Sequence, residues 1–281
     1  MMNVYFLGLL ASLLANIVLA NEPISSGATV LTYNTAGNVL DYEWAHRQHR
    51  LAVLVENPPQ LDKLIVFEVK PNSEPIIHTF KPAQHPNCLA WLKDDSGFLL
   101  AISANTQDET ASIDELYRYT FNEPREQPVY ANIERQFANI FAIDVDADSD
   151  YWALGSGGEG VTDVSIYQNE HLILSTDVFP GSISSVSWQQ QRLLVLSDAY
   201  LEYGLSNKER QQYTQVNKVI ASGRDWGDVR LYAVDAKTRA AKLDNRTPDE
   251  LDTLTHASFD KRYTIEISQD PNQVTVKIQR Q

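Results

Sequence analysis

Three aspartates, Asp41, Asp144 and Asp252, lie on or beside apolar segments that read as β-strands. Two facing carboxylates are all that glycoside hydrolysis requires, so this is the first chemistry the chain could carry. Asp144, Asp146, Asp148 and Asp150 also alternate, a spacing that can gather oxygen ligands for calcium. The calcium pattern is incomplete. Ser149 stands where an EF-hand loop needs glycine at its sixth position, and Gly155 stands where the bidentate glutamate belongs. An ordinary turn is therefore the competing reading of 144–150. Gly155, Gly157 and Gly160 spell G-x-G-x-x-G, but residues 161–167 read as a strand, not the helix whose N-terminus would face a pyrophosphate. A flexible loop is expected there, and Ser156 within it lacks the glycine spacing of a nucleophile elbow. His46 with His49, and His85 with Cys88, offer only two donors each where zinc needs three or four, so packing roles are expected for both pairs.

A second kind of chemistry is recognition. The stretch 199–227 brings Tyr200, Tyr203, Tyr213 and Trp226 together with Lys208, Arg210, Lys218 and Arg224. Aromatic residues and arginine anchor protein contacts, and here they sit on a chain of formal net charge -14. Ser206 and Glu209 form a capping box, so a short helix to about Val216 is expected. A solvated lid is the alternative reading of the same stretch. The acidic charge argues against nucleic acid, whose phosphates require Lys and Arg, and against anionic membrane surfaces. Cationic partners and calcium stay compatible with it.

These residues are positioned by a recurring block, seen as VLDYEWAHRQHRLAVLVE from Val39, CLAWLKDDSGFLLAIS from Cys88, IFAIDVDADSDYWALGS from Ile140, ISSVSWQQQRLLVLSD from Ile183 and LTHASFDKRYTIEIS from Leu254. Each is a strand, a polar turn and a second strand, and recurrence of one such unit marks a repeat architecture. A third, alternating strand follows at 64–69, 116–121, 164–167, 229–234 and 274–278, and a fourth at 75–80, 128–133, 171–176 and 240–243. The last block has no fourth strand, whereas 28–33 is a strand without partners of its own. An N-terminal strand completing the last unit would close a ring and remove its open edges, which is how propellers manage them. The expected fold is thus all-β: one β-propeller of five four-stranded blades, at about 38–81, 88–134, 139–178, 183–246 and 254–281 plus 28–33. Six blades or a two-sheet sandwich are alternatives. Trp44, Trp91, Trp188 and Phe259 recur at blade spacing and are expected to pack between blades. The connections between second and third strands vary in length and emerge on one face in a propeller, so that face is the expected site of binding.

Trp91-Leu92-Lys93-Asp94-Asp95-Ser96-Gly97 with Leu116-Tyr117, and Ser187-Trp188 with Leu231-Tyr232, resemble the repeats of WD40-like propellers of the TolB type (PD40-like). The resemblance covers most of the chain after residue 20, although its Pro-Asp-Gly core is nowhere intact. It implies a propeller that binds other proteins or regulates a neighbouring domain, and it implies no catalytic residues.

Residues 1–20 are apolar, uncharged and end on small residues, which reads as a signal peptide cleaved before a propeller domain at 21–281. A retained anchor is the alternative, and no later stretch is apolar enough to span a membrane. Cys88 is the single cysteine, so an exported chain would rely on packing alone, which suits a bacterial periplasm. The expectation is a periplasmic or secreted, non-catalytic, protein-binding module partnered by another envelope protein and needing no cofactor, with calcium left open. A glycoside hydrolase is the alternative.

Overall fold

The computed structural model describes residues 27–70, 73–82, 84–104, 113–122, 127–128, 136–158, 161–176, 182–189, 192–198, 229–235, 240–243, 258–270 and 273–281. The chain begins with β1 (Thr29–Thr35) and then builds the first sheet from β2 (Asn38–Trp44), β3 (Arg50–Glu56), β4 (Lys63–Glu68) and β5 (Ile76–Thr79) in sequence order. The second sheet holds β6 (Gln84–Trp91), β7 (Gly97–Ala104) and β8 (Ile113–Thr120), with β9 (Gln127–Pro128) and β10 (Gln136–Phe137) both paired to β8. The third is β11 (Ile140–Val145), β12 (Tyr151–Gly158), β13 (Val161–Gln168) and β14 (His171–Thr176); the fourth is β15 (Ser182–Gln189), β16 (Arg192–Asp198), β17 (Val229–Asp235) and β18 (Ala240–Leu243). β19 (Tyr263–Asp270) and β20 (Gln273–Arg280) join β1 in the order β1-β20-β19. All these pairings are antiparallel. No described residue is helical.

The second strands explain how the sheets assemble. Leu51–Val55 of β3 are all buried, because this strand is covered on both faces and so needs no alternation. Leu51, Val53 and Val55 pack on Ile265, Val276 and Ile278 of the last sheet, while Ala52 and Leu54 pack on Leu89, Trp91 and Phe98 of the second. β7 and β12 repeat the division. Leu99 and Ala101 turn to Trp152 and Leu154 of the third sheet, and Ala153 turns to Val186 and Val195 of the fourth. Side chains of a strand point alternately to its two faces, so each of these three second strands knits its sheet into two apolar layers. The sheets therefore stack face to face in the manner of a β-propeller.

β1 pairs with β20 from Thr29↔Gln279 to Thr35↔Val274, so the strand expected at 28–33 does lie beside the third strand of the last block. The first strand expected for that block falls largely at 254–257, outside the described residues.

Each of the four described first strands carries the same irregularity. The register shifts between Val39 and Asp41, Pro86 and Cys88, Ile140 and Ala142, and Ile183 and Ser185. A bulge adds local twist and re-aims the side chains that follow it, and here it recurs at one level of the stack.

Two expectations change. Gly155 and Gly157 belong to β12, which continues to Gly158 and pairs with Val161, so the glycine run is mostly strand. Of the fourth strand expected at 128–133, Pro128 lies in β9, which pairs with β8, and 129–133 lie outside the described residues. Phe259 is 49% exposed, unlike Trp44, Trp91 and Trp188, because it stacks on His49 at the surface instead of entering a layer between sheets. The stretch 199–227, with its expected helix and Tyr200, Tyr203, Lys208, Arg210, Tyr213, Arg224 and Trp226, lies outside the described residues.

Candidate functional site

The four first strands β2, β6, β11 and β15 line a cavity of about 540 Å³. Alternation after the bulge turns Asp41 and Glu43 of β2 to the same side, and Asp144 of β11 occupies the place of Glu43 in its own block. All three line the cavity.

Their oxygens are engaged by backbone. Asp41 accepts the Tyr42 N–H at 2.8 Å on Oδ1 and the Leu89 N–H at 2.9 Å on Oδ2. Glu43 Oε2 accepts the Trp91 N–H at 2.7 Å, and the Glu43 carbonyl accepts Trp91 Nε1–H at 2.9 Å. Asp144 accepts the Val145 N–H at 2.7 Å and the Trp188 N–H at 2.5 Å. Leu89 and Trp91 belong to β6, and Trp188 belongs to β15, so in each case an acid of one sheet holds the first strand of the next. Asp114 of β8 continues the pattern, accepting the Ile140 N–H at 2.6 Å, Ser103 Oγ–H at 2.6 Å and Asn87 Nδ2–H at 2.7 Å. Charge-assisted bonds of this kind are among the stronger ones available.

Enclosure works against the charges. Burial pushes the Asp41 carboxyl up to about 7 despite its two N–H donors. Burial also pushes Asp144 up to about 6, with the Trp188 N–H and His46 acting in the opposite direction. Glu43 is raised well above the usual carboxylate range, first by burial and then by the charge of Asp144.

This geometry bears on hydrolysis. Retaining enzymes hold their two carboxyls ~5–5.5 Å apart and inverting enzymes ~6.5–9.5 Å apart. Asp41 and Asp144 both line the cavity, and both have carboxylate oxygens engaged by backbone N–H groups. Asp252 lies outside the described residues.

The other candidates separate. Asp146 is buried against Ser149 Oγ and the Asp148 N–H, Asp148 is exposed, and Asp150 pairs with Lys93 Nζ at 2.7 Å. Asp144, Asp146 and Asp148 all line the cavity. Among the described residues no three His, Cys, Asp or Glu side chains converge as a metal site. His46 Nε2 lies 3.2 Å from the Trp91 carbonyl, and His49 pairs with Asp260 at 2.9 Å. His85 meets Asp62 at 3.1 Å. Cys88 is buried, with Sγ 3.8 Å from the Ile140 carbonyl. Burial, and then the charges of Asp41, Asp114 and Glu43, hold its thiol well above its ordinary range.

The turns after the first strands are laced to one another. Asp95 accepts the N–H groups of His46 and Arg47, both at 2.9 Å, and Arg47 Nη2 donates to the Ala147 carbonyl at 2.8 Å. Glu43, Asp95 and Asp114 were not among the site candidates singled out by sequence. Aligning the blocks on the bulge would have exposed Glu43, since it falls at the position of Asp144.

No protein-family model matches the chain, and no curated protein matches it. Solved structures similar to it include the β-propeller domain of the Trilobed protease from Pyrococcus furiosus, at 10% identity over 74% of this chain and TM-score 0.45. This chain spans 57% of that one. A chain of the Mitotic Checkpoint Complex matches at 11% identity, 99% of both chains and TM-score 0.47. The PQQ-bound Aldose Sugar Dehydrogenase from Streptomyces coelicolor matches at 7% identity, 86% of this chain, 80% of that one and TM-score 0.46. These proteins include enzymes and a member of an assembly, and none of their activities is carried to this chain.

Proposed function

We propose that the chain is an exported, non-catalytic, five-bladed propeller of WD40-like type that acts as a binding or scaffold module in a bacterial envelope, with another envelope protein as its partner. The observation that carries this reading is the use made of the cavity acids. Each of Asp41, Glu43 and Asp144 spends carboxylate oxygens on the backbone of the next sheet, which is the work of a structural tie. In this reading β1 is the outer strand of the fifth blade and closes the ring through β20, leaving the repeat without a free end.

Binding is assigned to the face that carries the connections between second and third strands. Two of these are tight hairpins, closing at Gly158↔Val161 and Asp270↔Gln273. The connection from Asp198 to Val229 is by contrast long and aromatic, with four Lys and Arg matched by four acids, and loops of that length on a rigid scaffold are where function concentrates. Its Tyr200, Tyr203, Lys208, Arg210, Tyr213, Arg224 and Trp226 are the proposed contact residues. The test is cross-linked capture from envelope extract with the full chain and with a chain whose residues 200–225 are replaced by a short linker. A partner recovered by the full chain and lost from the shortened one is expected. Equal recovery by both chains, or a partner for neither, would contradict the proposal.

A further inference from the structure

The bulges of the first strands recur at one level, and two of the side chains they aim into the cavity are large and apolar. Leu40, Asn87 and Phe141 are the residues left without a register partner in β2, β6 and β11, and all three line the cavity. Leu40 and Phe141 are each 40% exposed, so the fold leaves both uncovered. They stand near the strand ends from which the connections between second and third strands depart, because Asn38 pairs with Glu56 and Ile140 with Ser156. The acids follow further along the same strands, Asp41 and Glu43 after Leu40 and Asp144 after Phe141. The cavity is therefore apolar at its mouth on the loop face and acidic beyond. On the reading above that the chain binds a partner through its loop face, we propose that the cavity receives a lysine or arginine side chain carried on an extended segment of that partner. The apolar stem lies against Leu40 and Phe141, and the charged head lies among Asp41, Glu43 and Asp144.

Charge complementarity selects this occupant. Among the described residues no Lys or Arg lines the cavity, so the wall supplies no cation of its own for the acids. Asp41 and Glu43 are only partly buried, and a carboxylate oxygen that accepts one N–H keeps a second lone pair for a guest. Lysine and arginine join a long apolar stem to a charged head, which is the order of surfaces met on entering from the mouth. A wholly apolar guest would cover the acids without giving them a donor, and an anion would meet like charge. Paired apolar exposure at the rim of a concave site marks a place where another molecule sits, and a cavity of about 540 Å³ is of the size that such sites have.

A cationic guest favours ionised carboxyls, so its binding strengthens as pH rises through the values to which the wall acids are raised, about 6 for Asp144 and about 7 for Asp41. The other titratable groups facing these two are Glu43 on β2, His46 just beyond it, Cys88 on β6, and Asp146 and Asp148 beyond β11, with Asp114 of β8 behind Cys88. β15 contributes Ser185, Val186, Ser187 and Trp188, none of them charged. Of the groups that titrate, only His46 can carry positive charge, and its loss of a proton acts in the same direction.

The test is calorimetric titration of the full chain with the peptide acetyl-Ala-Leu-Arg-Leu-Ala-amide and with the same peptide carrying citrulline, which keeps the shape of arginine without its charge. At pH 8 the arginine peptide should bind at least ~10-fold more tightly than the citrulline peptide, and its affinity should fall at least ~10-fold at pH 5. Phe141→Ser should weaken the arginine peptide ~5-fold or more and leave Tm within ~2 °C, because that side chain is 40% exposed. Asp41→Asn keeps an acceptor for the Leu89 N–H and should weaken the arginine peptide while leaving the citrulline peptide unchanged. If Asp41→Asn does not fold, Phe141→Ser and the two peptides carry the test. Equal binding of the two peptides, or binding of neither, would overturn the pocket. Arginine amide binding as tightly as the peptide would overturn it too, since the site would then be one for a free small cation. Peptide binding without capture of a partner from envelope extract would support the pocket and overturn the loop contacts; capture without peptide binding would overturn the pocket alone.

Discussion

Replacing Trp91 by alanine will destabilise the fold by about 3–5 kcal/mol, the range for deleting a fully buried tryptophan. At 2–4 °C per kcal/mol the midpoint falls by roughly 10 °C. Trp91 is 0% exposed, and its ring lies 4.3 Å from Phe98 and 6.1 Å from Phe121 in the layer between the first two sheets. Its Nε1–H is held by the Glu43 carbonyl, which truncation leaves without that donor. The comparison with Trp188→Ala sharpens the result. Trp188 occupies the matching place two layers on and stacks on Tyr151, but its Nε1–H finds no partner among the described residues. Its truncation should cost less, and denaturant unfolding of the two variants checks the order. A larger loss at Trp188 would show that the indole hydrogen bond contributes little to the layer.

Gly37→Ala will be comparably damaging for a different reason. Gly37 has φ 117° in the turn that carries the chain from β1, in the last sheet, to β2, in the first. A Cβ there would sit 2.1 Å from the Glu56 carbonyl oxygen and 2.8 Å from Val55 Cγ1. Strain at such a backbone conformation costs ~1–3 kcal/mol, and the backbone overlap adds to it because Glu56 is fixed by its pairing with Asn38. A loss of at least ~3 kcal/mol is expected on that basis. Gly27→Ala is the control. Gly27 also has a positive φ, 84°, but nothing lies within 4 Å of its added Cβ, so only the strain should register. Equal losses at the two glycines would mean that the overlap with Glu56 relaxes freely.

Much of this architecture is legible in the sequence. The continuous apolar runs of β3 and β7 signal strands covered on both faces, and the alternation of β20 signals one packed face, where Val274, Val276 and Ile278 are buried. The unpartnered strand at 28–33 points to the pairing of β1 with β20. What escapes is tertiary in origin. Glu43 is one acid in a polar-looking strand, and only the bulge that re-aims β2 reveals that it lines the same cavity as Asp144 from another sheet. The glycines of 155–158 suggest a loop, yet β13 gives that backbone partners through Gly158↔Val161, and pairing outweighs the weak strand preference of glycine. Phe259 matches the tryptophans by spacing but stacks on His49, 5.2 Å away, because its turn is drawn to the first sheet by the Asp260–His49 pair. Asp41 and Asp144 are catalytic candidates on position alone, and position does not disclose which oxygens the neighbouring backbone already holds.

The central proposal is that the cavity acids hold sheets together and do no chemistry, and Asp144→Ala tests it most directly. Unfolding free energy should be measured at pH 5, below the value of about 6 to which the Asp144 carboxyl is raised, so that relief of a buried charge contributes little. Truncation leaves the N–H groups of Val145 and Trp188 without their acceptor, and ~1–3 kcal/mol for each buried donor predicts a loss of about 2–6 kcal/mol. Residues kept in place for catalysis commonly burden the fold, so their removal raises stability. A variant more stable than wild type would contradict the account.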